Sequence, residues 1–117
     1  MIKTLGLVRR ARKLIVGTEL TVKGVRTNRV KLVLLAIDAS NNTKKQIYDK
    51  CKTYNVDVID IFSSEEISNS IGKKNIKVIG IIDQGFSKAL LNQAKEVNSN
   101  GQKNNEKSDT KEYKETR

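Results

Sequence analysis

KLVLLAID, residues 31–38, holds six consecutive apolar residues between a lysine and an aspartate. A strand wetted on one face alternates apolar and polar side chains, whereas this one is apolar on both faces. It therefore reads as a strand inside a sheet that is covered by helices on both sides. The run 77–82, KVIGII, reads the same way and gives a second fully buried strand. Between and around these runs lie segments of helical period, so helices and strands alternate through most of the chain. That alternation predicts an α/β fold, a three-layer α-β-α sandwich.

Toward the N-terminus, Leu5, Val8, Ala11 and Leu14 recur at helical spacing, which predicts an amphipathic helix over about 3–12. Leu14-Ile15-Val16 reads as a short strand stopped by Gly17. Thr18 is expected to cap a second helix reaching about Asn28, with Glu19 in its first turn, where negative charge suits the helix dipole. Beyond the central strand, Ser40 to Asn42 supply caps for a helix over 43–54, with Ile47, Cys51 and Tyr54 on its buried face. Residues 56–62 alternate with period two and form a strand. Ser63 or Ser64 caps a short acidic helix through Ile71, which Gly72 ends. The last helix is placed at 87–97, with Ala89, Leu90 and Ala94 inward. Residues 1–97 thus make one domain, a length that suits a single core. Residues 98–117 are polar, without apolar periodicity, and are expected to be a disordered tail.

Composition narrows the function classes. The chain has 117 residues, one cysteine and no histidine. Cys51 cannot form an internal disulfide, which fits a reducing cytoplasm. Histidine general acid–base chemistry and histidine- or cysteine-based metal sites are excluded, and no cofactor is implied. No apolar run approaches the ~20 residues of a membrane helix, and no signal-peptide pattern opens the chain. The net charge is +10, and nearly all of it is local. Residues 1–31 carry nine Lys/Arg (Lys3, Arg9, Arg10, Arg12, Lys13, Lys23, Arg26, Arg29 and Lys31) against one acid, Glu19. From 32 to 97 nine lysines face eight acids. A concentrated basic field implies a polyanionic partner, nucleic acid before an anionic membrane surface.

Three places carry residues suited to chemistry. At Gly17-Thr18-Glu19, helix-start amides, a hydroxyl and the cations Lys23 and Arg26 converge on an anion-binding arrangement. Asp38 and Asp83 end buried strands, where ligand sites of open α/β sheets gather. Both also precede turns, where aspartate caps are commonplace, and no phosphate loop accompanies them, so the structural role is preferred. Ile61-Phe62-Ser63 runs off a strand into a loop, where apolar residues either stack on unpaired bases or simply end the core.

GTELTVKGVR (17–26), KLVLLAIDAS (31–40), VDVIDIFSSEEISNSIG (56–72) and IIDQG (81–85) together resemble the ribosomal protein L7Ae/L30e family, whose members recognise kink-turns in RNA. The resemblance covers about 5–97 and is strongest to the small bacterial members. It implies an α-β-α sandwich with a mixed four-stranded sheet. It implies that Gly17, Thr18, Glu19 and Lys23 face RNA, and that Ile61, Phe62 and Ser63 pack on a flipped-out nucleotide. The chain departs from the archaeal pattern at Glu19-Leu20, where that pattern has Asn-Glu. Leucine cannot accept hydrogen bonds from guanine edges, which implies weaker binding or a variant motif.

The expectation is therefore a non-enzymatic, monomeric, cytoplasmic RNA-binding protein, ribosome- or translation-associated. Its RNA-binding residues are Gly17, Thr18, Glu19, Lys23, Arg26, Ile61, Phe62 and Ser63. Arg9, Arg10, Arg12, Lys13, Arg29 and Lys31 contact phosphates. Alternatives stand beside it: a protein adaptor presenting Glu65 and Glu66, and a small α/β enzyme using Asp38 and Asp83, or else a substrate-binding module related to RNA methyltransferase N-domains.

Overall fold

The computed structural model describes residues 2–102. Its elements follow the order α1 (Ile2–Arg10), β1 (Leu14–Val16), α2 (Thr18–Arg26), β2 (Leu32–Leu35), α3 (Asn41–Tyr54), β3 (Asp57–Ile59), α4 (Ser64–Ser70), β4 (Val78–Ile81) and α5 (Gln84–Gln102). The four strands form one mixed sheet in the order β1-β4-β2-β3. β2 and β3 are parallel, as the α3 crossover between them requires. β4 inserts between β1 and β2 and runs antiparallel to both, with Ile15 and Val33 each opposite Gly80.

β2 and β4 are buried at every position, so the sheet is covered on both faces as the sequence predicts. α2 lies on one face. It approaches so closely that a Cβ on Gly24 would sit 2.5 Å from Val30 Cγ2 and 3.3 Å from Ile15 Cδ1. Gly80 is opposed by the same Val30 and by Thr21 of α2. α3 packs beside α2, while α1 packs on α4 and α5 in the opposite layer. The core runs through Leu5, Val8, Val25, Leu34, Ile47, Ile67, Ile79 and Leu90, all fully buried. Burying a side chain of this size contributes about 1.5–3 kcal/mol.

Element boundaries depart from the sequence reading in instructive ways. Gly17, not Thr18, is the N-cap of α2, and it makes no side-chain cap bond because it has no side chain to offer. β3 ends at Ile59 rather than near Phe62: Ile37 N–H donates to Phe62 O at 2.9 Å, a contact outside the sheet ladder. α5 begins at Gln84 because Asp83 Oδ2 accepts from Phe86 N at 2.8 Å and starts the helix one turn early. Ala89, expected inward, is exposed, while Leu90 and Ala94 are buried as expected. Tyr54, expected inside, is 38% exposed, whereas Ile47 and Cys51 of the same helix are buried. Backbone helix continues to Gln102, past the expected end at Val97; residues 103–117 of the expected tail lie outside the described residues.

Helices α1 to α4 end in similar ways. In α1, α2 and α4 the first residue beyond the C-cap is left-handed, in α3 the C-cap Asn55 itself is, and in each two backbone bonds close a Schellman-type arrangement. The residues are Arg12 (φ 59), Asn28 (φ 61), Asn55 (φ 61) and Gly72 (φ 68). For α1 the bonds are Arg12 N to Arg9 O at 2.9 Å and Lys13 N to Val8 O at 3.0 Å. Glycine and asparagine adopt this conformation at little cost; arginine does not.

Candidate nucleic-acid interface

Because β4 is antiparallel to its neighbours, the C-terminal ends of β1, β2 and β3 and the start of β4 share one end of the sheet. Short backbone bonds tie the loops there together. Gly17 N donates to Val78 O at 2.9 Å, Ala36 N to Lys77 O at 2.8 Å, and Ile37 N to Phe62 O at 2.9 Å. The α2 start, the β2–α3 loop, the β3–α4 loop and the approach to β4 thus form a continuous surface.

Gly17 has φ 103 and ψ 154, a combination open essentially to glycine alone. A Cβ there would meet nothing within 4 Å, so conformation and not crowding selects glycine, and the helix start stands open. Thr21 N is the first amide of the helix to find a partner, Gly17 O at 3.1 Å. The preceding amides of Thr18, Glu19 and Leu20 make no protein hydrogen bond and face the same end as the positive pole of the helix. α2 buries Thr21, Val22, Gly24 and Val25, which leaves Glu19, Lys23 and Arg26 on one exposed stripe. The ion pair found among the described residues is Lys77–Asp38; Lys23 and Arg26 are free to meet an external anion.

The β3–α4 loop is held from several sides. Ser63 and Glu66 form a reciprocal capping box, at 2.9 Å (Ser63 N to Glu66 Oε1) and 3.1 Å (Glu66 N to Ser63 Oγ). Tyr48 of α3 donates its hydroxyl to Asp60. Asp38 accepts from Ser64 N at 2.7 Å and Ser64 Oγ at 2.6 Å, and Lys77 Nζ reaches it at 3.3 Å. The Ser64 hydroxyl and amide hold the Asp38 carboxyl far below the usual carboxylate range. Asp38 thus fastens the loop to the end of β2. Asp83 caps α5 at the opposite end of the sheet, so the two strand-end carboxylates share no site. Burial pushes the Cys51 thiol up to about 12, so it stays a neutral core group.

Three of the large apolar side chains left exposed lie at this same end: Leu20 (60%), Ile37 (51%) and Ile61 (36%), with Phe62 half-buried beside the core. Of the expected site residues, the structure brings Gly17, Thr18, Glu19, Ile61, Phe62 and Ser63 to one sheet end, with Lys23 and Arg26 leading away along α2. The Ser63 amide and hydroxyl are both used within the cap, so Ser63 sets the loop's shape. Ile37 and Lys77 belong to the surface but escape a reading of the sequence, because both sit at the ends of apolar runs that look like strand. The strand pairing stops at Leu35, and only that shows Ile37 to be outside the sheet. Leu20, a departure from the family pattern in sequence, completes the apolar trio in space. The expected phosphate contacts divide. Arg29 and Lys31 precede β2 at the far end of the sheet, with Lys31 Nζ donating to Asn28 O at 2.9 Å. Arg9, Arg10, Arg12 and Lys13 lie on or just after α1, in the layer opposite α2. Glu66 is committed to its cap, which leaves Glu65 as the open acid of α4. No helix among the described residues is long and apolar enough to cross a membrane.

The mixed sheet, the glycine-started helix and the tethered loops define a small basic α-β-α sandwich with its loops gathered at one end of the sheet. The chain belongs to the Ribosomal protein L7Ae/L30e/S12e/Gadd45 family, whose model matches residues 1–91. It is 49% identical over 84 residues to the RNA-binding protein YlxQ of Enterococcus faecium, covering 72% of this chain and 81% of that one. It is 45% identical over 87 residues to the RNA-binding protein YlxQ of Bacillus subtilis, covering 74% and 87%. A solved Bacillus halodurans protein of unknown function superposes with TM-score 0.78 at 39% identity, covering 80% of this chain and 95% of that chain.

Proposed function

We propose that this protein is a non-enzymatic RNA-binding protein that recognises a bent, kink-turn-like RNA and works, as a monomer when free, with the ribosome or the translation machinery in the cytoplasm. The observation that carries the reading is the coincidence, at one sheet end, of the open α2 amides, Lys23 and the exposed trio Leu20, Ile37 and Ile61. Cation and amides suit phosphates, while exposed apolar side chains suit unstacked bases; a bent RNA offers both within one footprint. The printed names of the two YlxQ relatives support the same reading.

Glu19 and Leu20 shape the selectivity. Glu19 sits in the first turn with its carboxylate exposed, able to accept from base N–H groups, while Leu20 adds apolar contact in place of hydrogen bonding. Shape and backbone contacts then outweigh base-edge readout. The test is a binding titration against a kink-turn RNA and against the same RNA with its G·A pairs deleted, which removes the bend. Preference for the kinked form is expected. Equal affinity for the two would overturn kink recognition, and failure to bind either would overturn RNA binding itself.

A further inference from the structure

A groove of about 230 Å³ runs along the edge strand β1 on the face opposite α2. Leu14 and Val16 of β1 and Ile71 after α4 form its apolar floor, and Arg9, Arg12 and Lys73 stand around it. None of the three cations has an acidic partner among the described residues. Arg9 reaches across the groove to Gly72, with its Nη1 3.6 Å from where a Cβ on that glycine would sit, so the guanidinium rests in van der Waals reach of the left-handed turn.

Arg12 is the second observation. Of the four left-handed helix ends, three carry asparagine or glycine, and the fourth carries an arginine whose side chain lines this groove. The conformation is unfavourable for arginine, and the surrounding bonds impose it. A glycine there would fold better, so the arginine stands at a cost to stability.

The groove is also continuous with the interface. It follows β1 from Arg12 to Val16, and the next residue is Gly17, the start of the α2 site. A three-residue strand spans about 10 Å, so a nucleic-acid strand leaving the α2 end meets the groove at once. An apolar floor under planar guanidinium groups suits an unstacked base, and the surrounding charges suit its phosphates.

From this we infer that the groove is a second RNA subsite, which takes an unpaired nucleotide of the strand leaving the structured site. The inference rests on the RNA-binding reading above. The experiment compares a blunt-ended kink-turn RNA with the same RNA carrying a short oligouridine extension, using wild-type protein, Arg12→Gly and Lys73→Ala. Wild type is expected to bind the extended RNA about tenfold more tightly, the scale of one stacked base. Arg12→Gly, which keeps the left-handed turn, should melt at a higher temperature and lose most of the gain, measured as the ratio of its own affinities for the extended and the blunt RNA. Lys73→Ala should lose part of it. Equal wild-type affinities for the two RNAs, or a gain that survives Arg12→Gly, overturn the subsite while leaving the structured-RNA reading intact. If neither RNA binds, that reading falls and the subsite falls with it. Arg12-dependent binding of oligoglutamate without any gain from the extension would assign the groove to an acidic protein segment instead.

Discussion

Lys23 and Asp38 do different work at the same sheet end, and each has its own test. Lys23 projects from the exposed stripe of α2 about 4.5–7.5 Å along the helix from its open amides, at 1.5 Å per residue. Replacing it with alanine should weaken structured-RNA binding by about 1–3 kcal/mol in a gel-shift titration, with little change in melting temperature. Unchanged affinity would remove Lys23 from the interface. Asp38 acts on the fold. Its carboxyl is held far below the usual range by Ser64, so ionised Asp38 stabilises the native state at neutral pH. A depressed folded-state value means this stabilisation is complete above the unfolded value, near 3.8, and drains away as pH falls from there toward the folded value. Melting temperature followed down through pH 4 should drop in wild type. Asp38→Asn should start lower at neutral pH and lose less on acidification. Parallel acid limbs for the two proteins would show that Ser64 does not read the charge.

Among the elements, α2 is the one on which the proposed interface depends, and its position rests on a missing side chain. Gly24 lets the helix sit against Val30 and Ile15; a Cβ would press to 2.5 Å on a valine that is itself buried. Gly24→Ala should therefore cost about 1–3 kcal/mol by overpacking, although alanine is the better helix former by about 1 kcal/mol. Urea denaturation measures the balance, and a variant as stable as wild type would mean that Val30 has room to turn. The same element shows what the sequence could and could not disclose. The buried strands were legible because KLVLLAID and KVIGII admit no wetted face. α4 was legible because Ser63 or Ser64 offers a cap and Gly72 a stop, although only the structure shows that Ser63 is the cap and Glu66 its reciprocal partner. The start of α2 was misread by one residue because threonine is the better cap by chemistry, whereas the chain needed the backbone angles of Gly17. Ile37 and Ile61 looked like strand because periodicity records where apolar residues recur, not where pairing stops. Only the tertiary bonds to Phe62 and Ser64, made by residues 25 or more positions away, end those strands.

At the scale of the molecule, the basic first quarter of the sequence is not one surface. Folding sends Lys23 and Arg26 along α2, Arg9 and Arg12 to the opposite layer, and Arg29 and Lys31 to the far end of the sheet. β2 separates Lys31 from the interface by about 13 Å at 3.3 Å per residue, beyond the ~8 Å Debye length at physiological salt. Charges at that distance steer an approaching polyanion but do not neutralise its bound phosphates. The double variant Arg29→Ala, Lys31→Ala should therefore bind structured RNA almost as tightly as wild type at 0.15 M salt and visibly more weakly at 0.01 M, where screening reaches ~30 Å. Its log–log slope of affinity against salt should match that of wild type at and above physiological salt. Lys23→Ala, by contrast, should flatten that slope by about one contact wherever it is measured. Titrations of the three proteins across a salt series separate the two kinds of charge. If the double variant lost about two units of slope at every salt concentration, the far end of the sheet would be in direct phosphate contact, and the RNA footprint would have to wrap the whole sandwich.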